Sequence, residues 1–207
     1  MTVVALIGDV IGSRKVTDRD ALQKKLAKIL KQLNKGRPDL LSPYTVTLGD
    51  EFQAVFKNCD LIFRDVWAIL QELYPVKTRF AFGVGELSTP VNPRQAIGMD
   101  GPAFYNARQG IQELKKTPFL FKITGEQIPS LNLLNQSLYL VSQTSSGWSL
   151  NRFRIMSMLY KGWTTKQIAG ELNISTVAVY KNIKAGALDI IMALGQEISK
   201  NINGALK

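Results

Sequence analysis

Val3 to Val10 is an apolar run interrupted only by Gly8-Asp9 near its end, the pattern of a strand buried on both faces. Thr17-Asp18-Arg19-Asp20 then offers a helix start with acidic residues in the first turn. Leu22, Leu26, Ile29, Leu30 and Leu33 follow at helical spacing until Gly36 and Pro38 supply the stop. Tyr44–Leu48 and Phe52–Phe56 are short apolar runs around Gly49-Asp50-Glu51, a hairpin signal. A second amphipathic helix is expected from about Asp60 to Leu73, with Ile62, Val66, Ile69, Leu70 and Leu73 inward. Lys77–Leu87 reads as a strand, Gly101–Lys116 as a third helix burying Phe104, Ala107, Ile111 and Leu114, and Phe119–Ile123 as a short strand. The order β-α-β-β-α-β, then helix and strand, predicts an α/β (α+β) fold of the ferredoxin-like or palm type. Residues 124–146, rich in Asn, Gln and Ser, are expected to be a loop, a short strand at Leu138–Val141, and a link to a second domain.

From Trp148 the pattern is wholly helical. Phe153, Ile155, Met156, Leu159 and Tyr160 mark one helix, and Thr164-Thr165 starts a short second one holding Ile168, Ala169 and Leu172. Asn173 falls at the tight turn, and Ser175 caps a third helix with Val179 and Ile183 inward. The string from Thr165 to Lys184 resembles bacterial helix-turn-helix regulators. This divides the chain into a palm domain, 1–146, and an all-α helix-turn-helix domain, 147–207. Thr165, Ser175, Thr176, Val177, Tyr180, Lys181, Asn182 and Lys184 are the positions expected to meet double-stranded DNA. They supply the hydroxyls, amide, aromatic ring and cations that read base edges and hold phosphates.

Charge supports that expectation. The 207-residue chain carries a formal net charge of +10, and eight Lys and Arg stand against three Asp and Glu from Trp148 onward. Lys24, Lys25, Lys28, Lys31 and Lys35 line the polar face of the first helix, a row of the kind that usually meets solvent and can also follow a phosphate backbone. Histidine is absent, which removes Ser-His-Asp and Cys-His catalysis and the usual His-containing zinc sites. Any metal must be held by oxygen ligands, which points to Mg²⁺ or Mn²⁺. The single cysteine, Cys59, admits no internal disulfide and suggests a cytoplasmic protein. No apolar run reaches the roughly 20 residues that span a bilayer, so no membrane partner is expected.

Two acidic turns carry the candidate chemistry. Asp9 ends the first strand and Asp50 sits in the hairpin; a palm brings these places together, where two carboxylates can hold a divalent cation. Gly12 and Ser13 would let a phosphate approach backbone N–H groups. The segments Asp9–Ser13, Gly49–Phe56, Arg79–Glu86 and Ile97–Arg108 resemble, in that order, the class III nucleotidyl cyclase catalytic domain over about residues 1–125. With the C-terminal helices added, the whole chain resembles the SatD family, which is linked to acid and stress responses. The cyclase resemblance implies that Asp9 and Asp50 bind metal and that Arg108 stabilises a triphosphate transition state. Val46 stands where cyclases carry a purine-selecting lysine, and Phe104 where they carry a ribose-orienting asparagine; Asn106 is nearby on another helix face. The expected function is therefore a DNA-binding transcriptional regulator, a homodimer whose degenerate cyclase-like domain binds a nucleotide or only pairs. The alternatives are a metal-dependent nucleotidyl enzyme using Asp9, Asp50 and Arg108, and an inert interaction scaffold.

Overall fold

The computed structural model describes residues 1–206. Its sheet has the order β2-β3-β1-β4-β5, built from β1 (Thr2–Val10), β2 (Leu40–Leu48), β3 (Glu51–Phe56), β4 (Thr78–Glu86) and β5 (Phe121–Thr124). β1 lies centrally, antiparallel to β3 and β4, and β5 joins the edge parallel to β4. The first four strands follow the β-α-β-β-α-β path, with α1 (Arg19–Leu33) and α2 (Ile62–Leu73) as its helices.

Alternation along β1 sorts the core into two layers. Val4 and Leu6 face α1 and α2, while Val3, Ala5 and Ile7 face α3 (Pro102–Leu114). Contact with α3 is close because the residues at the crossing are small. A Cβ on Gly83 would lie 2.1 Å from the Ala103 carbonyl oxygen and 2.3 Å from the Ala107 nitrogen. On the other side α2 buries Ile62, Val66, Ile69, Leu70 and Leu73, as its periodicity predicts. Each is worth about 1.5–3 kcal/mol. Together they outweigh the roughly 1 kcal/mol forgone because Leu61, at the N-cap, makes no side-chain cap.

One expectation needs correction. Residues 131–145 form a helix, α4 (Leu131–Ser145), and Leu138–Val141 is part of it rather than a strand. Leu134, Leu138 and Val141 face the core, and Asn135 bridges both the N–H and the carbonyl of Ile123 in β5 (2.8 and 2.9 Å). The short edge strand is thus closed by a side chain of α4. At the end of the chain α5 (Leu150–Tyr160), α6 (Thr165–Leu172) and α7 (Thr176–Gly186) lie where expected, and a further helix, α8 (Leu188–Ala205), follows. Among the described residues no helix is long and apolar enough to cross a membrane.

The core does not stop at residue 146. Trp148 stacks on Trp67 of α2 at 5.2 Å between ring centroids, and Phe153 of α5 meets Trp148 edge-on at 5.3 Å. Trp67 in turn meets Phe121 of β5, so one aromatic chain runs from the sheet through α2 to α5. Cys59 is buried and unpaired, and burial pushes its thiol well above the ordinary range.

Candidate functional site

Two groups of predicted residues have to be located: the sheet end around Asp9 and Asp50, and the surface of α6 and α7.

At the sheet end, the hairpin Gly49-Asp50 is tied to β1 by the Val10 N–H, which donates to the Asp50 carbonyl (3.2 Å). Gly12 adopts a left-handed conformation (φ 67°) and starts a short 3-10 turn, Ser13–Lys15. That turn buries Ser13, whose hydroxyl donates to the Asp50 carboxylate. Gly12, Ser13 and Asp50 therefore do come together, but the Ser13 hydroxyl serves to hold Asp50 rather than to meet a ligand.

Asp9 has other partners. One oxygen pairs with Arg79, its neighbour across β4 (3.0 Å), and the other with Lys115 just beyond α3 (3.1 Å). Across β3 its register partner is Glu51, which receives Arg108 of α3 at 2.6 Å. The sheet end thus holds Asp9 paired with Arg79 and Lys115 and Glu51 paired with Arg108, with Asp50 beside Glu51 and bonded to Ser13. Sequence reasoning missed Glu51, Arg79 and Lys115. Lys115 was accessible in principle, since it follows Arg108 by two helical turns on the same face; Arg79 emerges only from the strand register.

This arrangement does not fit a resident Mg²⁺ or Mn²⁺. Both Asp9 oxygens are engaged by cations, and among the described residues no group of three or more Cys, Asp and Glu is placed to hold a metal. A divalent ion would have to displace Arg79 and Lys115 and would find no excess of negative charge to retain it. Arg108 and Lys115 are about half exposed and are the groups an incoming anion would meet. Several millimolar Mg²⁺ or Mn²⁺ is accordingly expected to leave the Tm of the full chain unchanged. A ligand at 100 times its Kd would stabilise by about 2.7 kcal/mol, so a Tm rise of several degrees would overturn this reading. Phe104 is buried against the sheet, Val46 is partly exposed on edge strand β2, and the Asn106 amide donates to the Val84 carbonyl (2.8 Å). None of these three supplies a free polar group to the cluster.

The second site is built by local capping. Thr164 and Gln167 form a reciprocal capping box at the start of α6. Asn173 closes the helix in the left-handed region (φ 51°), and Ser175 caps α7 by accepting from the Ala178 N–H (3.1 Å). Ile168, Ala169 and Val179 are buried between the two helices and α5. What remains outward on α7 is Thr176, Val177, Tyr180, Lys181 and Lys184; Val177 and Tyr180 are each 60% exposed. Three predicted contacts have internal duties. Ser175 is the cap, the Asn182 amide donates back to the Ala178 carbonyl (2.9 Å), and half-buried Thr165 donates to the Tyr180 hydroxyl (3.4 Å).

The SatD family model matches residues 3–201. No curated protein matches the chain. Among solved structures, two of a bacterial light-regulated adenylyl cyclase are similar at 16% and 15% identity, with TM-scores of 0.44 and 0.43. They cover 59% and 60% of this chain, which spans 43% of the length of each.

Proposed function

The chain belongs to the SatD family, and on that premise we propose that α6 and α7 form a helix-turn-helix that binds double-stranded DNA, making the protein a DNA-binding regulator. The observation that carries this reading is the outward face of α7. It leaves an aromatic ring, a branched apolar side chain, a hydroxyl and two lysines in water, with no acidic residue anywhere on the helix. A helix set in the major groove uses such groups: lysines on phosphates, Thr176 and Tyr180 on base edges or backbone, Val177 against a thymine methyl. On this reading two copies of the chain would present two α7 helices to half-sites one helical turn apart.

The test is a binding isotherm on duplex DNA across a salt series, comparing the full chain with Lys181→Ala/Lys184→Ala. Loss of two phosphate contacts should lower the slope of log K against log salt by about 1.8 and weaken binding at every sequence alike. Unchanged affinity and slope in the double variant would refute the assignment of α7. The sheet-end cluster contributes no chemistry to this reading; its ion pairs fix the hairpin and α3 to the end of β1.

A further inference from the structure

A cavity lies at the opposite end of the sheet from Asp9. It has a volume of about 470 Å³. It opens where β1 begins and β4 ends, between the first turn of α3 and the loop from β5 to α4, and Ala205 of α8 closes one side. A nine-residue strand rises about 3.3 Å per residue, so the cavity lies roughly 25 Å from the sheet-end cluster.

In a chain of net charge +10, no Lys or Arg among the described residues lines this cavity, while Glu86 and Glu126 both do. Neither carboxylate makes an ion pair or a side-chain hydrogen bond among the described residues. The other cluster behaves differently: at the Asp9 end, Asp9 and Glu51 each have a cation. The remaining wall includes the exposed Tyr105 ring, oriented by its hydroxyl's bond to Asp100 (2.6 Å), together with apolar Val84, Pro102 and Ala205. Two free carboxylates repel phosphate and attract a cation. The aromatic ring and apolar wall add attraction for a cation with a carbon body, which a bare metal ion would not use.

The position of α8 gives such a ligand a route to the DNA reader. Ala205 contacts the cavity, and two residues earlier Asn203 clamps the start of α2, accepting from the Cys59 N–H and donating to Asp60, both at 2.7 Å. The other end of α8 is joined to α7 by one residue, Ala187, held in the left-handed region (φ 49°). Eighteen residues of helix make a rod about 27 Å long, with one end at the cavity and the other on α7.

We propose that this cavity is a binding site for a small organic amine, and that its occupancy is transmitted along α8 to α7. The regulatory half rests on the reading of α7 as a DNA-binding helix; the binding half does not. The experiment uses the full chain without DNA and three probe amines: putrescine, agmatine and tyramine. Calorimetry should show saturable one-site binding of at least one probe. In Glu86→Gln/Glu126→Gln, which alters exposed side chains and should leave Tm unchanged, affinity should fall at least tenfold. Hydrogen exchange with the bound probe should change at the start of α3, in the loop around Glu126, at the end of α8 and in α7. Asn203→Ala should retain the binding heat and lose the change in α7.

No heat from any probe, or heat unaltered in the double Gln variant, overturns the site. Saturation by Mg²⁺ or Ca²⁺ with none by amines overturns the ligand class. Exchange changes confined to the cavity overturn the transmission. Because no DNA is present, failure of the DNA-binding reading leaves these results standing, and an amine-silent protein that still binds DNA refutes this proposal alone.

Discussion

Arg37→Met is expected to cost the fold about 3–5 kcal/mol, which for a chain of this length lowers Tm by roughly 6–20 °C. Arg37 follows α1, and its side chain is only 4% exposed. Its guanidinium grips Asp39 through two bonds (2.8 and 2.7 Å), reaches Asp65 of α2 at 2.6 Å and bonds the Leu33 carbonyl at the end of α1. Asp65 is fully buried and also accepts from Tyr44 of β2 (3.1 Å). One cation thus holds α1, β2 and α2 together, and two carboxylates depend on it. Burial pushes the Asp65 carboxyl up even against the pull of Arg37 and Arg64. For Asp39 burial is the largest influence and acts in the same direction, but the hydrogen bond and charge of Arg37, with a backbone hydrogen bond and the charge of Arg64, together outweigh it and hold the carboxyl below the usual range. Methionine fills the space, leaves Asp39 without its cation and leaves buried Asp65 only the partly exposed Arg64 (3.1 Å).

The sign of the pH dependence follows. In the variant the Asp65 carboxyl rises further above its unfolded value, so it favours the fold when protonated and opposes it once ionised. The wild type loses the Asp39 contribution as pH falls through that group's lowered value. The deficit is therefore largest near neutrality; the Asp65 part shrinks as pH falls towards about 4, and the Asp39 part only below that. Chemical denaturation of Arg37→Met, Asp65→Asn and the double variant checks this. The double variant should be less impaired than Arg37→Met alone, because it removes one of the stranded charges. A loss under about 1 kcal/mol, or a double variant no better than the single, would show that the network is not interdependent.

What the sequence revealed and what it concealed divide along a physical line. Apolar periodicity located β1 to β5, α1 to α3 and the three helices α5 to α7, because each buries a regular stripe. It failed at α4, where three buried positions, Asn135, Ser142 and Ser145, are polar. Asn135 and Ser142 are buried there to satisfy the backbone of β5 and of Leu120, so the stripe reads as interrupted. At the candidate site the Gly-Asp turns were legible as local conformation. The partners of Asp9 were not, since Arg79 lies 70 residues away and Lys115 more than 100, and only the register of β1 against β4 and the seat of α3 bring them in. The composition change near residue 147 suggested a junction. It carries no information on whether the two parts bury their surfaces against each other, and Trp148 shows that they do.

That shared core predicts the outcome of Trp148→Ala: a loss of about 3–5 kcal/mol from the whole chain, in one cooperative transition. Trp148 is 4% exposed, stacked on Trp67 and edge-on to Phe153, so truncation opens a cavity where α2 and α5 meet. Neither neighbour is able to close it, because Trp67 is fixed against Phe121 and Phe153 is packed on Tyr74. Trp148→Phe separates packing from polarity. The Trp148 indole N–H is buried with no hydrogen-bond partner among the described residues, and an orphaned donor costs about 1–3 kcal/mol. Phenylalanine keeps a ring on Trp67 and removes that cost, so Trp148→Phe should lie within about 1 kcal/mol of the wild type. Far-UV circular dichroism and tryptophan fluorescence followed through the same melt distinguish the possibilities. If α5 to α8 were an independent unit, Trp148→Ala would produce an early transition confined to part of the helical signal and leave the main transition in place. A single shifted transition with both probes coincident is the result that the packing of Trp148 on Trp67 requires.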